Sequence, residues 1–317
     1  MSDRGDAQSL TGRRLPDFFI VGHLKCGTTA LYEMLRQHPQ IYMPDVKEPS
    51  FFVPEILARE RTLDSYLGLF EAAAPQQRAG EASPTYLWSS YAAERIAALQ
   101  PDARIIAILR EPASYLRSLH LELVRTHAET EKRLGDAIAL EPIRREGKAI
   151  PPDSTRPQLL FYSENVRYVT QLQRYHAVFP REQMLVLIYE DYRADNQGTI
   201  RQVLRFLDVD DSYPLKPIES NPSARIRSPR LLATVRAVSL GRRTAPRLIK
   251  SSVKLLTTRR LRRRTLALQR RAQLGSPHPP DEQLMLDLRR RFRGEVVALS
   301  EYLNRDMVKL WGYDRLE

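Results

Sequence analysis

The 317-residue chain contains a single cysteine, Cys26, which excludes an internal disulfide and a cysteine-based metal site. Thiol scarcity of this kind fits a reducing, cytoplasmic setting. No apolar run reaches the roughly 18 residues of a membrane span. The opening stretch MSDRGDAQSLTGRRLPD also lacks the apolar core of a secretory signal. Residues 1–16 are expected to be a disordered lead-in, followed by one domain over 17–317. Acidic residues are missing from Arg225 to Arg271, a segment that carries sixteen Lys and Arg. The net charge of +12 is therefore local, and the rest of the chain is slightly acidic. This distribution does not describe a uniformly basic nucleic-acid binder, and no recognition module or interleaved aromatic pattern supports nucleic acid as a partner.

What is present is an alternation of short apolar runs with helical patterns. DFFIVG (Asp17–Gly22), RIIAILR (Arg104–Arg110) and MLVLIY (Met184–Tyr189) read as buried strands. TTALYEMLRQH, the stretch from Pro112 to about Arg125, FYSENVRYVTQLQRYHAVF (Phe161–Phe179) and NQGTIRQVLRFLDV read as helices. Near-continuous apolar strands separated by helices imply an α/β fold, a P-loop-type parallel sheet with helices on both faces. A helical C-terminal region follows, ending in a helix from Glu282 to about Leu303. The polar stretch 126–157 is expected to be an insertion or lid. The stretch 225–274 is expected to form basic amphipathic helices.

The loop GHLKCGTT after the first strand is the main chemical signal. Gly22, Gly27 and Thr29 keep the spacing of an ATP-type phosphate loop, but Thr28 stands where the lysine belongs, and Lys25 lies inside the loop. Glycines after a parallel strand let backbone N–H groups turn inward, and the following helix adds its dipole. The loop should hold a phosphate-like group, with Lys25 as a point charge. Arg110, at the carboxyl end of a strand, lies on the ligand-binding edge and can grip a second phosphate. Ser118 can face the same way if the intervening turn is tight. Glu190 and Asp191 follow another strand, so a magnesium-dependent ATP site stays open on these residues alone.

Together, FFIVGHLKCGTTALYEMLRQHP, RIIAILREPASYLRSLH and VKEPSFF (Val46–Phe52) resemble the sulfotransferases that use 3′-phosphoadenosine-5′-phosphosulfate (PAPS). The likeness is to bacterial relatives of the heparan sulfate and carbohydrate enzymes. It runs from about Phe18 to Asp208 and again from Asp281 to Trp311. The resemblance implies PAPS as donor substrate and no bound metal. It implies that Cys26, Gly27, Thr28 and Thr29 hold the 5′-phosphate, that Arg110 and Ser118 hold the 3′-phosphate, and that Lys25 assists the leaving group. Glu48 is then the general base, with His23 and His120 as alternatives. Glu81 and Tyr86 would line the acceptor cleft. Ala82 and Ser50 depart from the lysine and histidine of heparan-type relatives, differences that bear on the acceptor rather than the donor.

The implied acceptor is a hydroxyl of a small molecule, carbohydrate or lipid-linked compound. The basic segment 225–271 suggests peripheral contact with an anionic membrane at its inner surface. The competing functions are an ATP-dependent kinase and a non-catalytic anion- or membrane-binding protein.

Overall fold

The computed structural model describes residues 12–53, 62–152, 154, 156–218, 225–226, 274–275 and 279–316. Most of the expected lead-in, and the basic segment apart from its ends, lie outside the described residues.

Five parallel strands form the central sheet: β1 (Phe18–Gly22), β2 (Ile41–Tyr42), β3 (Arg78–Ala82), β4 (Arg104–Leu109) and β5 (Met184–Ile188), in the order β2-β3-β1-β4-β5. Every residue of β1 is buried, which is why its sequence is apolar on both faces instead of alternating. The three strands expected from their apolar runs are β1, β4 and β5, within a residue or two of the read boundaries. β2 and β3 carry no such run. From β1 the chain moves to one side, through β2 and β3, then crosses to β4 and β5 on the other. The connections leaving β1 and β4 thus diverge, and the crevice between their carboxyl ends is the place where open α/β sheets bind ligands.

Helix α1 (Thr28–Leu35) follows β1, and α2 (Pro112–Arg125) follows β4. Pro112 at the first position of α2 and the Glu111 side chain accepting from Ala113 N–H (3.1 Å) and Ser114 N–H (2.7 Å) start that helix immediately after the strand. The single helix expected over Phe161–Phe179 is instead two, Tyr162–Asn165 and Tyr168–His176. The Asn165 amide donates to the Phe161 carbonyl at 2.9 Å, a side-chain bond that competes with the backbone ladder at the break.

The polar stretch after α2 holds two short helices, Leu134–Ala139 and Glu141–Arg145. It is pinned by a forked pair in which Arg144 donates to both oxygens of Glu129 (2.7 and 2.8 Å), and both side chains are almost fully buried. The C-terminal helix Glu282–Leu303 starts on an Asp281 cap and packs on α2. Beyond it, Trp311 and Tyr313 are buried against the carboxyl edge of the sheet through Glu190 and Glu111. No helix among the described residues is long and apolar enough to cross a membrane.

Candidate active site

Residues 23–27 link β1 to α1. Lys25 (φ 63°) and Gly27 (φ 91°) both take the left-handed conformation, which reverses the backbone twice within three residues. A Cβ on Gly27 would also lie 3.1 Å from the Tyr192 ring. No side chain caps α1, so its first-turn N–H groups and the positive end of its dipole remain available to an anion. Cys26 and Thr28 are buried, and Thr29 is half-buried at the start of the helix. The Cys26 N–H donates back to the His23 carbonyl (3.3 Å), tightening the turn. Burial pushes the Cys26 thiol well above its usual range, which disfavours the thiolate and leaves the residue a small packing element of the turn.

Arg110 reaches across from β4. Its Nη1 donates to the Lys25 carbonyl at 3.1 Å, its Cζ lies 4.6 Å from the centroid of the Tyr189 ring, and its own carbonyl accepts from Tyr168 Oη at 2.8 Å. Its Nε is buried without a partner among the described residues. Ser118 is buried on α2, close in sequence to Arg110 through the tight Glu111–Pro112 start. Arg117 also belongs to this neighbourhood: burial first, and then the like charge of Arg110, lower its pKa. The sheet edge thus brings loop, arginine and serine helix to one crevice with concentrated positive charge.

Two more residues complete the arrangement. Lys25 Nζ lies 3.3 Å from Glu122 Oε2, with both side chains largely buried. Glu122 stands one helical turn beyond Ser118 and so shares its face of α2. Projecting that helix from Ser118 would have exposed Glu122 in the sequence, whereas Tyr189 carried no signal beyond following a strand.

Glu48 hangs on the neighbouring strand. Its N–H donates to the Ala82 carbonyl at the end of β3 (3.1 Å), Ala82 lies in register with Ile20 of β1, and the next residue, Ser83, donates its N–H to the Ile20 carbonyl (3.1 Å). Glu48 (φ 57°) and Ser50 (φ 55°) are both left-handed, a strained run for non-glycine residues that its surroundings hold in place. Ser83 Oγ accepts from Ser50 N–H (3.0 Å) and donates to Glu81 Oε1 (2.6 Å), and Tyr66 donates to the other Glu81 oxygen. Lys47 Nζ sits 2.5 Å from Glu48 Oε1, while about a third of the Glu48 side chain faces solvent.

Glu81 and Tyr86 do not line a cleft. Both are buried in the core, because the Glu81 carboxylate serves Tyr66 and Ser83 beneath the Glu48 loop. Burial, followed by the charge of Glu81, drives the Tyr66 and Tyr86 hydroxyls well above their usual pKa. The two histidines read as alternative bases are also enclosed. His23 bonds Gln171 Oε1 through Nε2 (2.6 Å), and burial lowers its pKa to about 4. His120 bonds the Glu131 carbonyl (2.9 Å), and burial lowers its pKa too.

The carboxylates weighed for a metal have other partners. Glu190 accepts from Trp311 Nε1 (2.9 Å) and from Glu111 N–H (3.3 Å), and Asp191 is forked to Arg305. Among the described residues no cluster of three or more His, Cys, Asp or Glu is arranged to hold an ion.

A glycine loop after β1, opposed across a divergent crevice by an arginine after β4 on a five-stranded parallel sheet, is the arrangement of a P-loop-type α/β protein. The family model described as "Sulfotransferase domain" matches residues 15–223, and the chain belongs to that family. It is 27% identical over 248 residues to carbohydrate sulfotransferase 15 of Homo sapiens, covering 62% of this chain and 44% of that one. It is 30% identical over 207 residues to the bifunctional heparan sulfate N-deacetylase/N-sulfotransferase 2 of Mus musculus, covering 62% of this chain and 22% of that one. The chain spans less than half the length of these curated relatives. A solved sulfotransferase from Alicyclobacillus acidocaldarius superposes with a TM-score of 0.58 at 33% identity, covering 66% of this chain and 87% of that one.

Proposed function

We propose that the chain transfers the sulfuryl group of PAPS to an acceptor hydroxyl by in-line displacement. The observation that carries this reading is Arg110: a guanidinium fixed to the phosphate-loop backbone at Lys25, stacked on Tyr189, with its Nε buried and unpartnered among the described residues. A second anion held there, distinct from the one at the start of α1, fits a nucleotide with phosphates on both ends of its ribose. PAPS supplies a sulfur already activated by its phosphate leaving group. The chain's residues do the rest. The N–H groups of Gly27, Thr28 and Thr29 take the 5′-phosphate, with Cys26 shaping the turn. Arg110 and Ser118 take the 3′-phosphate. Lys25 stabilises charge on the departing phosphate oxygen. Glu48 exchanges Lys47 for the acceptor hydroxyl and removes its proton as the new O–S bond forms and the S–O bond to phosphate breaks.

The acceptor class proposed is a carbohydrate, glycolipid or secondary-metabolite hydroxyl. The segment 126–157, anchored by Arg144 and Glu129, is proposed as a wall of the acceptor side. Contact of the basic segment with an anionic membrane is a separate proposal, tested by liposome cosedimentation across a salt series. The kinase reading is not favoured, since Glu190 and Asp191 are engaged elsewhere. Incubation with sulfur-labelled PAPS and a panel of hydroxylated acceptors in chelator-containing buffer tests the function. Label is expected on an acceptor, with 3′,5′-adenosine diphosphate released. Phosphate transfer from ATP instead would contradict it.

A further inference from the structure

Glu122 is a carboxylate placed against the lysine of an anion site, where the sulfotransfer reading, on which this inference rests, gives it no role. Its Oε2 lies 3.3 Å from Lys25 Nζ and its side chain is about a quarter exposed. Arg125, one turn on, donates its Nε to the same oxygen (3.1 Å) and its Nη2 to Oε1. Among the described residues, Lys25 is thus one of two cations on Glu122. If the lysine swings away, the carboxylate keeps a forked arginine and is not left as an unpaired, partly buried charge, so releasing Lys25 is cheap. Burial alone would raise the Glu122 pKa, but Arg125 and then Lys25 turn the balance and hold it below the usual range. The group is therefore anionic when an anionic donor arrives. The same ammonium cannot serve the Glu122 carboxylate and the leaving phosphate at full strength, because the two anions would have to share it.

We propose that Glu122 is a resident counter-ion of Lys25 that the donor must displace: a positioning residue that parks the lysine when the nucleotide is absent and hands it over when the nucleotide binds. Arg125 acts as the latch that receives Glu122 after the exchange. Three consequences separate this from a merely structural ion pair. Removing the charge of Glu122 tightens donor binding. Removing Arg125 weakens it, because Glu122 is left with Lys25 alone. The gain from removing Glu122 requires Lys25.

The test is calorimetric titration of 3′,5′-adenosine diphosphate into the full chain at fixed pH and salt, for wild type, Glu122→Gln, Arg125→Ala, Lys25→Ala and the Lys25→Ala/Glu122→Gln double variant. Glu122→Gln is expected to bind about fivefold more tightly and Arg125→Ala about threefold more weakly, the scale of one partly exposed ion pair. The gain of Glu122→Gln is expected to vanish in the Lys25→Ala background. Unchanged or weaker binding by Glu122→Gln, or the same gain without Lys25, overturns the exchange. If Glu122→Gln does not fold, Arg125→Ala decides alone: equal or tighter binding overturns the proposal. Wild type that fails to bind the nucleotide sinks the sulfotransfer reading itself, whereas wild type that binds with no change on Glu122→Gln sinks only this inference.

Discussion

At the residue scale the account assigns distinct tasks to Lys25, Glu48 and Arg110, and each leaves a different kinetic mark. Lys25→Ala is expected to lower kcat by about 10²–10³, the usual cost of removing one donor to a developing anion, with a smaller change in affinity for 3′,5′-adenosine diphosphate. Steady-state kinetics beside calorimetry check the split. Glu48→Gln is expected to reduce transfer by about 10²–10⁴ while leaving nucleotide affinity intact. A Glu48→Gln enzyme with normal turnover would move the base elsewhere. His23 makes a prediction about stability rather than chemistry. Burial lowers its pKa to about 4 from the ordinary 6.5, so as pH falls the unfolded chain takes up the proton first. Its contribution is complete above about pH 6.5 and is lost progressively towards pH 4. The loss is on the order of 3 kcal/mol, following from the linkage slope of about 1.4 kcal/mol per pH unit. Denaturant titrations over that window should show a slope that His23→Gln reduces; equal slopes would contradict the burial argument.

At the element scale, the strands legible in the sequence were those whose burial on both faces demands an unbroken apolar run: Phe18–Gly22, Arg104–Leu109 and Met184–Ile188. The strand Arg78–Ala82 was not legible. RAGEA has no branched or aromatic residue, and it is a strand because neighbours make it one: the Phe18 ring fills the space where a Cβ on Gly80 would stand, 2.1 Å away. Glu81 misled for a different reason. Its place at a cleft came from the resemblance and not from its own residues, and only the fold reveals Tyr66 and Ser83 around it. The strand-to-helix turn that carries Lys25 was legible because its signals are local: glycine turn, lysine and helix start lie within a dozen residues. The Lys25–Glu122 pair was not, since it joins residues 97 apart. The segment after α2 yields a stability prediction. Glu129→Gln should destabilise the protein by about 3–5 kcal/mol, because it leaves Arg144 charged and buried without its counter-ion. Burial is the largest influence and works to raise the Glu129 pKa, but the bond and charge of Arg144, the Glu131 N–H and the Tyr162 hydroxyl together outweigh it and the net shift is downward. The stability from this pair is therefore present above the ordinary value of 4.5 and lost as pH falls below it. Thermal denaturation of Glu129→Gln checks the size, and a change under about 1 kcal/mol would contradict a buried pair.

At the scale of the whole molecule, the proposed site draws on distant parts of the chain: β1 and its loop, the Glu48 turn held by β3, Arg110 at the end of β4, Tyr189 after β5, and the C-terminal Trp311 and Tyr313. Trp311 bonds Glu190 and Tyr313 bonds Glu111, the acid residues beside Tyr189 and Arg110. The tail therefore closes the sheet edge on which the second phosphate would rest. The claim on which everything else depends is that this edge recognises a nucleotide by both its 5′ and its 3′ phosphate. The most direct measurement is the shift in melting temperature of the wild-type chain with three nucleotides in parallel. The account predicts stabilisation by 3′,5′-adenosine diphosphate without magnesium, little by adenosine 5′-monophosphate, and loss of the difference in Arg110→Ala. Stabilisation by ATP only with magnesium, and no preference for the 3′-phosphate, would contradict it.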